Sequence, residues 1–207
     1  MRQKDFVLGL AASPRQRANS TILLDTVLTK AAEGGCRVKK MEIFKFSIRP
    51  CQGCGGCDRT GVCVLEDDMC LFYPLLQEAG HVILAAPVYF YALSGIAKAF
   101  IDRSQALWVR KYRLEQQLPS QGKGYLIAAG ATRGKRLFEC PRLTMRYYCD
   151  ALNLHYAGNL LVRGVENEGD VLNNREIMQE AHAMGRAICQ GQESGVRSQN
   201  EKTGENI

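Results

Sequence analysis

Phe6-Val7-Leu8-Gly9-Leu10-Ala11-Ala12-Ser13-Pro14-Arg15-Gln16-Arg17-Ala18-Asn19-Ser20-Thr21 begins as one kind of structure and ends as another. Phe6 to Ala12 is a short, unbroken apolar run, the pattern of a strand buried on both faces. Ser13 to Ser20 is a polar loop. From Ser20, Ile22, Leu23, Val27 and Leu28 recur at helical spacing until Gly34-Gly35 stops the helix. A buried strand feeding directly into a helix is the opening half of a β/α unit with a parallel sheet.

The rest of the chain repeats that alternation. Strands are expected at Arg37–Phe46, His81–Tyr89, Gly124–Ala129 and Tyr156–Val165. Helices are expected after Asp67-Asp68, over Ser94–Trp108, over Leu137–Leu152 and over Asn173–Cys189. Asp67-Asp68 reads as an N-terminal helix cap. Five such units predict an α/β, flavodoxin-like doubly wound five-stranded parallel sheet of order 2-1-3-4-5. The division is one domain over 1–190, with a cysteine-rich loop insertion at 50–66, and a polar tail over 191–207 that reads as disordered. Ligands in such sheets bind at the carboxyl ends of the strands, near the switch point between strands 1 and 3.

Three loops lie at those ends. The first, Ser13 to Thr21, offers hydroxyls, an amide and a guanidinium at a helix N-terminus, where free backbone N–H groups bind phosphate. It has neither the G-x-G-x-x-G of a dinucleotide fold nor the lysine of a P-loop, and such a loop can also be a plain helix cap. The second, Pro87-Val88-Tyr89-Phe90-Tyr91, places aromatics where a planar ring would lie, or where they would plug the core. The third, Gly130-Ala131-Thr132-Arg133-Gly134, is small enough to approach the same ligand.

Four of the nine cysteines fall in one stretch, Cys51, Cys54, Cys57 and Cys63, spaced C-x2-C-x2-C-x5-C with glycines at 53, 55, 56 and 61. The spacing resembles that which holds a cubane iron–sulfur cluster. Structural zinc favours two knuckles separated by a longer spacer, and disulfide frameworks belong to small secreted chains. Core packing suits the isolated Cys36, Cys140, Cys149 and Cys189 better than a glycine-rich loop.

Taken together, these segments resemble the NADPH-dependent FMN reductase family and, with the cysteines included, the iron–sulfur flavoproteins within it. The matching residues are Ser13-Pro14-Arg15 with Asn19-Ser20, Cys51 to Cys63 followed by Asp67-Asp68-Met69, Pro87-Val88-Tyr89, and Lys98 with Asp102-Arg103, within a resemblance covering about residues 6–190. Ala12 and Ala18 stand where the family often has glycine. The resemblance implies FMN held at its phosphate by Ser13, Arg15, Asn19, Ser20 and Thr21. Pro87, Val88, Tyr89 and Phe90 would line the ring or ribityl chain, with Gly130 and Arg133 as further candidates. It also implies a 4Fe-4S cluster on Cys51, Cys54, Cys57 and Cys63, and a homodimer or tetramer.

The expected function is electron transfer between a one-electron, ferredoxin-like donor, the cluster and FMN. An NAD(P)H-dependent FMN or quinone reductase is the alternative, and a non-catalytic metal-binding or redox-sensing protein the third reading. The cofactors carry the chemistry, so no catalytic side chain is expected. The net charge is +6, much of it in Arg103, Arg110, Lys111, Arg113, Lys123, Arg133, Lys135, Arg136, Arg142 and Arg146. That segment could steer an acidic ferredoxin-type partner, or simply solvate helices. No nucleic-acid module and no run of ~20 apolar residues is present, so neither nucleic acid nor membrane is expected as a partner. A cytoplasmic setting with reduced thiols is expected.

Overall fold

A computed structural model describes residues 2–119 and 121–190; the expected tail at 191–207 lies outside them. The strands are β1 (Gln3–Ala11), β2 (Arg37–Glu42), β3 (Ala79–Tyr89), the two-residue β4 (Ala92–Leu93), β5 (Gly122–Gly130) and β6 (Leu154–Arg163). The helices are α1 (Asn19–Glu33), α2 (Phe72–Glu78), α3 (Gly95–Arg103), α4 (Gln105–Tyr112), α5 (Glu139–Ala151) and α6 (Arg175–Cys189). The main sheet runs β2-β1-β3-β5-β6, all parallel, with β4 turned back antiparallel on β3. With that stub set aside, this is the expected 2-1-3-4-5 order.

Side-chain alternation along β1 divides the core. Phe6, Leu8 and Leu10 face the layer of α2, α3 and α5, where Phe72, Phe100 and Tyr148 meet edge to face. Val7 and Ala11 face α1 and α6, through Leu24, Val27 and Met184. Gly9 permits the close seat of α1, since a Cβ there would come 2.7 Å from Leu28 Cδ1.

Beyond shifts of one to three residues at several element ends, two elements differ from expectation. The second strand stops at Glu42 and the chain turns through a short 3-10 segment, Ile43–Lys45. The helix expected over Ser94–Trp108 is two helices that break at Ser104, where the fully buried Arg103 side chain is tied to the cysteine loop instead of continuing a solvent face. Asp67 is a cap as expected, its Oδ1 accepting from Met69 N at 3.0 Å ahead of a 3-10 turn, Asp68–Leu71, that leads into α2.

Candidate functional site

The carboxyl ends of β1, β3 and β5 finish side by side, with Ala11 next to Ala85 and Pro87 next to Ala129. The polar loop after β1 leads into the N-terminus of α1. Ala18 occupies the cap position, so no side chain satisfies the first amides, and the first turn contains no acidic residue. This leaves the positive end of a 15-residue helix open to an anion.

A pocket of about 190 Å³ lies against that end. Ser13, Arg15, Asn19, Ser20, Pro87, Val88, Tyr89 and Gly130 all line it. Thr21 is buried one residue further along the helix. Ser20 Oγ and Thr21 Oγ1 are buried without a hydrogen-bond partner. An orphaned buried hydroxyl costs on the order of 1–3 kcal/mol, so two beside an uncapped helix end fit a site completed by a phosphate. The donor chemistry therefore suits the phosphate of FMN.

Other expected residues are placed differently. Asn19 is buried but committed: its Nδ2 donates to Asn167 O at 2.9 Å and its Oδ1 accepts from Val171 N at 3.2 Å. Arg15 Nη1 donates to Glu166 O at 3.2 Å. Both residues thus hold the loop after β6 over the pocket. Arg133 lies against Gly164, outside the pocket lining. Phe90 is fully exposed, and with Tyr91 it makes the two-residue turn between β3 and β4 at φ of 50° and 63°. Non-glycine residues seldom adopt that region.

The loop after β6, Val165 to Glu168, lines the pocket but was not among the expected residues. Its folding rests on Asp170, whose Oδ2 accepts from Glu166 N at 2.9 Å and Asn167 N at 2.8 Å; these bonds hold the carboxyl below its usual range. The signal was available: the rule that selected the loops after three strands applies equally to a fourth strand end in the same sheet.

The cysteine loop faces a second, larger cleft of about 620 Å³, closed on the other side by Trp108, Tyr147 and Tyr148. Cys51, Cys54, Cys57 and Cys63 all border it, and Gly53, Gly55 and Gly61 have the positive φ that the tight bends require. Four thiols on one cleft suit a cluster in number and chemistry. Among the described residues, no group of three or more His, Cys, Asp or Glu side chains is assembled to hold a metal ion. Cys51 and Cys54 are exposed while Cys57 and Cys63 are half-buried. Burial, with Asp58, Cys63 and Cys51 adding like charge, pushes the Cys57 thiol upward.

Four side chains of the basic segment, read as able to steer an acidic partner or simply to solvate helices, make specific contacts. Arg103 is buried against Asp67, Arg110 Nε donates to Gly61 O at 2.7 Å, Lys111 pairs with Asp150 at 2.8 Å and Arg113 pairs with Asp58 at 2.7 Å. Burial pushes the Asp67 carboxyl up, but the Arg103 guanidinium and the Arg49 and Met69 amides outweigh it and hold the group below the usual carboxylate range.

Comparison with known proteins places these features in context. The NADPH-dependent FMN reductase family matches residues 6–137, more than half of the chain. An iron-sulfur flavoprotein of Archaeoglobus fulgidus is 40% identical over 96 residues, 46% of this chain and 44% of that protein. An iron-sulfur flavoprotein of Methanocaldococcus jannaschii is 34% identical over 127 residues, 61% of this chain and 63% of that protein. The matched part is thus less than two thirds of either relative's length. Among solved structures, an NAD(P)H:quinone oxidoreductase from Methanothermobacter marburgensis superposes with a TM-score of 0.64 at 15% identity, covering 88% of this chain and 95% of that one. That likeness concerns the fold.

Proposed function

Since the chain belongs to the NADPH-dependent FMN reductase family, we propose that it is an FMN-dependent oxidoreductase of the reductase type, oxidising a nicotinamide cofactor and reducing a flavin or quinone. The observation that carries this is the uncapped N-terminus of α1 against a pocket at the ends of β1, β3 and β5, with the orphaned hydroxyl of Ser20 in the pocket lining and that of Thr21 one residue further along the helix.

Ser13, Ser20 and Thr21, with the first amides of α1, would hold the phosphate. Arg15 and Asn19 would act mainly by fixing the loop after β6. At about 190 Å³ the pocket suits the phosphate and chain, and the ring would lie at its open edge beside Pro87, Val88 and Tyr89. Bound there, FMN supplies one- and two-electron redox chemistry, and the protein supplies binding and orientation. The test is reconstitution with FMN and with FAD, followed by anaerobic mixing with NADPH and NADH. FMN retention with rapid bleaching by a nicotinamide alone supports the reading; no flavin bound overturns it.

A second reading is electron transfer through an iron–sulfur cluster, with a ferredoxin-type donor and a homo-oligomer. It is favoured by the shared cleft of Cys51, Cys54, Cys57 and Cys63 and by the names of the related proteins. Iron and sulfide content after anaerobic preparation tests it. Among the described residues no helix is long and apolar enough to cross a membrane, and a cytoplasmic setting is proposed on the same thiol chemistry.

A further inference from the structure

The loop carrying Cys51, Cys54, Cys57 and Cys63 is held from outside itself. Both ends of it meet at one guanidinium. Arg103, the last residue of α3, has a side chain with no exposed surface. Its Nη1 donates to Arg49 O at 2.9 Å and to Asp67 Oδ2 at 2.5 Å, and its Nη2 donates to Leu65 O at 3.3 Å. Arg49 lies two residues before Cys51, and Leu65 two residues after Cys63. One planar group therefore bonds both sides of the loop's neck. Asp67 Oδ2 also accepts from Arg49 N at 3.0 Å. Tyr73 Oη donates to Arg103 O at 2.8 Å, fixing the helix end from which the arginine projects.

A buried ion pair is a weak stabiliser, because desolvating both charges offsets much of their attraction. An apolar plug would fill the same space but would bond neither carbonyl. Lysine would keep the charge but not the rigid fork that reaches two backbone oxygens and a carboxylate together. The arrangement thus suits holding two chain segments at a set separation better than it suits stability.

We propose that Arg103 is the positioning residue of the cysteine loop. It holds Arg49 against Leu65 and so limits how far Cys51 and Cys63, the ends of the cysteine run, can part. The consequence for metal loading rests on the cluster reading given above; the clamp itself does not.

The test uses two variants of the full chain. Arg103→Met alone would strand a buried carboxylate, so the pair is removed together as Arg103→Met/Asp67→Leu; Arg103→Lys keeps the charge and loses the fork. Iodoacetamide labelling is followed by peptide mass spectrometry. The half-buried Cys57 and Cys63 should react at least fivefold faster in both variants. The buried Cys149 should stay protected and the exposed Cys140 should keep its wild-type rate, which separates loop opening from general unfolding. In parallel, anaerobic reconstitution with ferrous iron and sulfide should load the variants at least fivefold less than wild type. A wild type that takes up no iron overturns the cluster reading, while the labelling rates still decide the clamp. Wild-type labelling rates of Cys57 and Cys63 in both variants would overturn the clamp.

Discussion

Replacing Ser20 by Ala and Thr21 by Val should push the free protein and its FMN complex in opposite directions. In the free protein both hydroxyls are buried and unpartnered. Removing an orphaned buried hydroxyl recovers on the order of 1–3 kcal/mol, and Ser20→Ala in the first turn of α1 adds a few tenths of a kcal/mol of helix propensity. With about 1 kcal/mol recovered at each site, the pair gains about 2 kcal/mol. For a chain of this size that corresponds to a rise of about 4–8 °C in Tm. In the complex, each hydroxyl would donate to a charged phosphate oxygen, a bond contributing about 1.5–3 kcal/mol. Each substitution should therefore weaken FMN binding by roughly tenfold to a hundredfold. Differential scanning calorimetry of the flavin-free protein gives the first quantity, and FMN fluorescence titration the second. A double variant less stable than wild type without flavin would show that the hydroxyls do have partners. FMN affinity unchanged within about threefold would show that the phosphate lies elsewhere.

Two further outcomes follow from other parts of the molecule. Burial pushes the fully buried Cys149 thiol up from 9.0 to about 12. The folded state then binds that proton more tightly than the unfolded chain, so the stability from this group is complete below about pH 9. It falls by about 1.4 kcal/mol per pH unit as pH rises toward 12; urea unfolding of Cys149→Ala at pH 8 to 11 should show a flatter decline than wild type, and parallel curves would refute the assignment. Phe90 is fully exposed at φ 50°, so Phe90→Asn should leave packing intact and stabilise by about 1 kcal/mol or less; a destabilised variant would mean that the ring packs against the protein.

The order of the sheet was legible because the central strands β1, β3 and β5 are buried on both faces, and buried strands separated by amphipathic helices leave a strong pattern. Ser13, Ser20, Pro87 and Gly130 were legible as pocket residues for a related reason: strand ends in a doubly wound sheet converge, so position along the chain predicts position in space. The helix break at Ser104 was not legible. Nothing local stops a helix there, and it is the burial of Arg103 against Asp67, a contact between residues 36 apart, that turns the chain.

The amino-acid pattern by itself determined the strand–helix alternation, the strand order, the polar loop and helix after the first strand and the crowding of four cysteines in a glycine-rich loop. These depend on periodicity and spacing, which are properties of the chain alone. Tertiary structure decided what each charge and amide does. Asn19 and Arg15 read as ligand donors but are bonded to the loop after β6, and Arg103, Arg110 and Arg113 read as a positive surface but hold the cysteine loop. A polar side chain has no intrinsic partner; its bonds go to whatever donors and acceptors the fold brings within about 3 Å, and only the assembled molecule decides which those are.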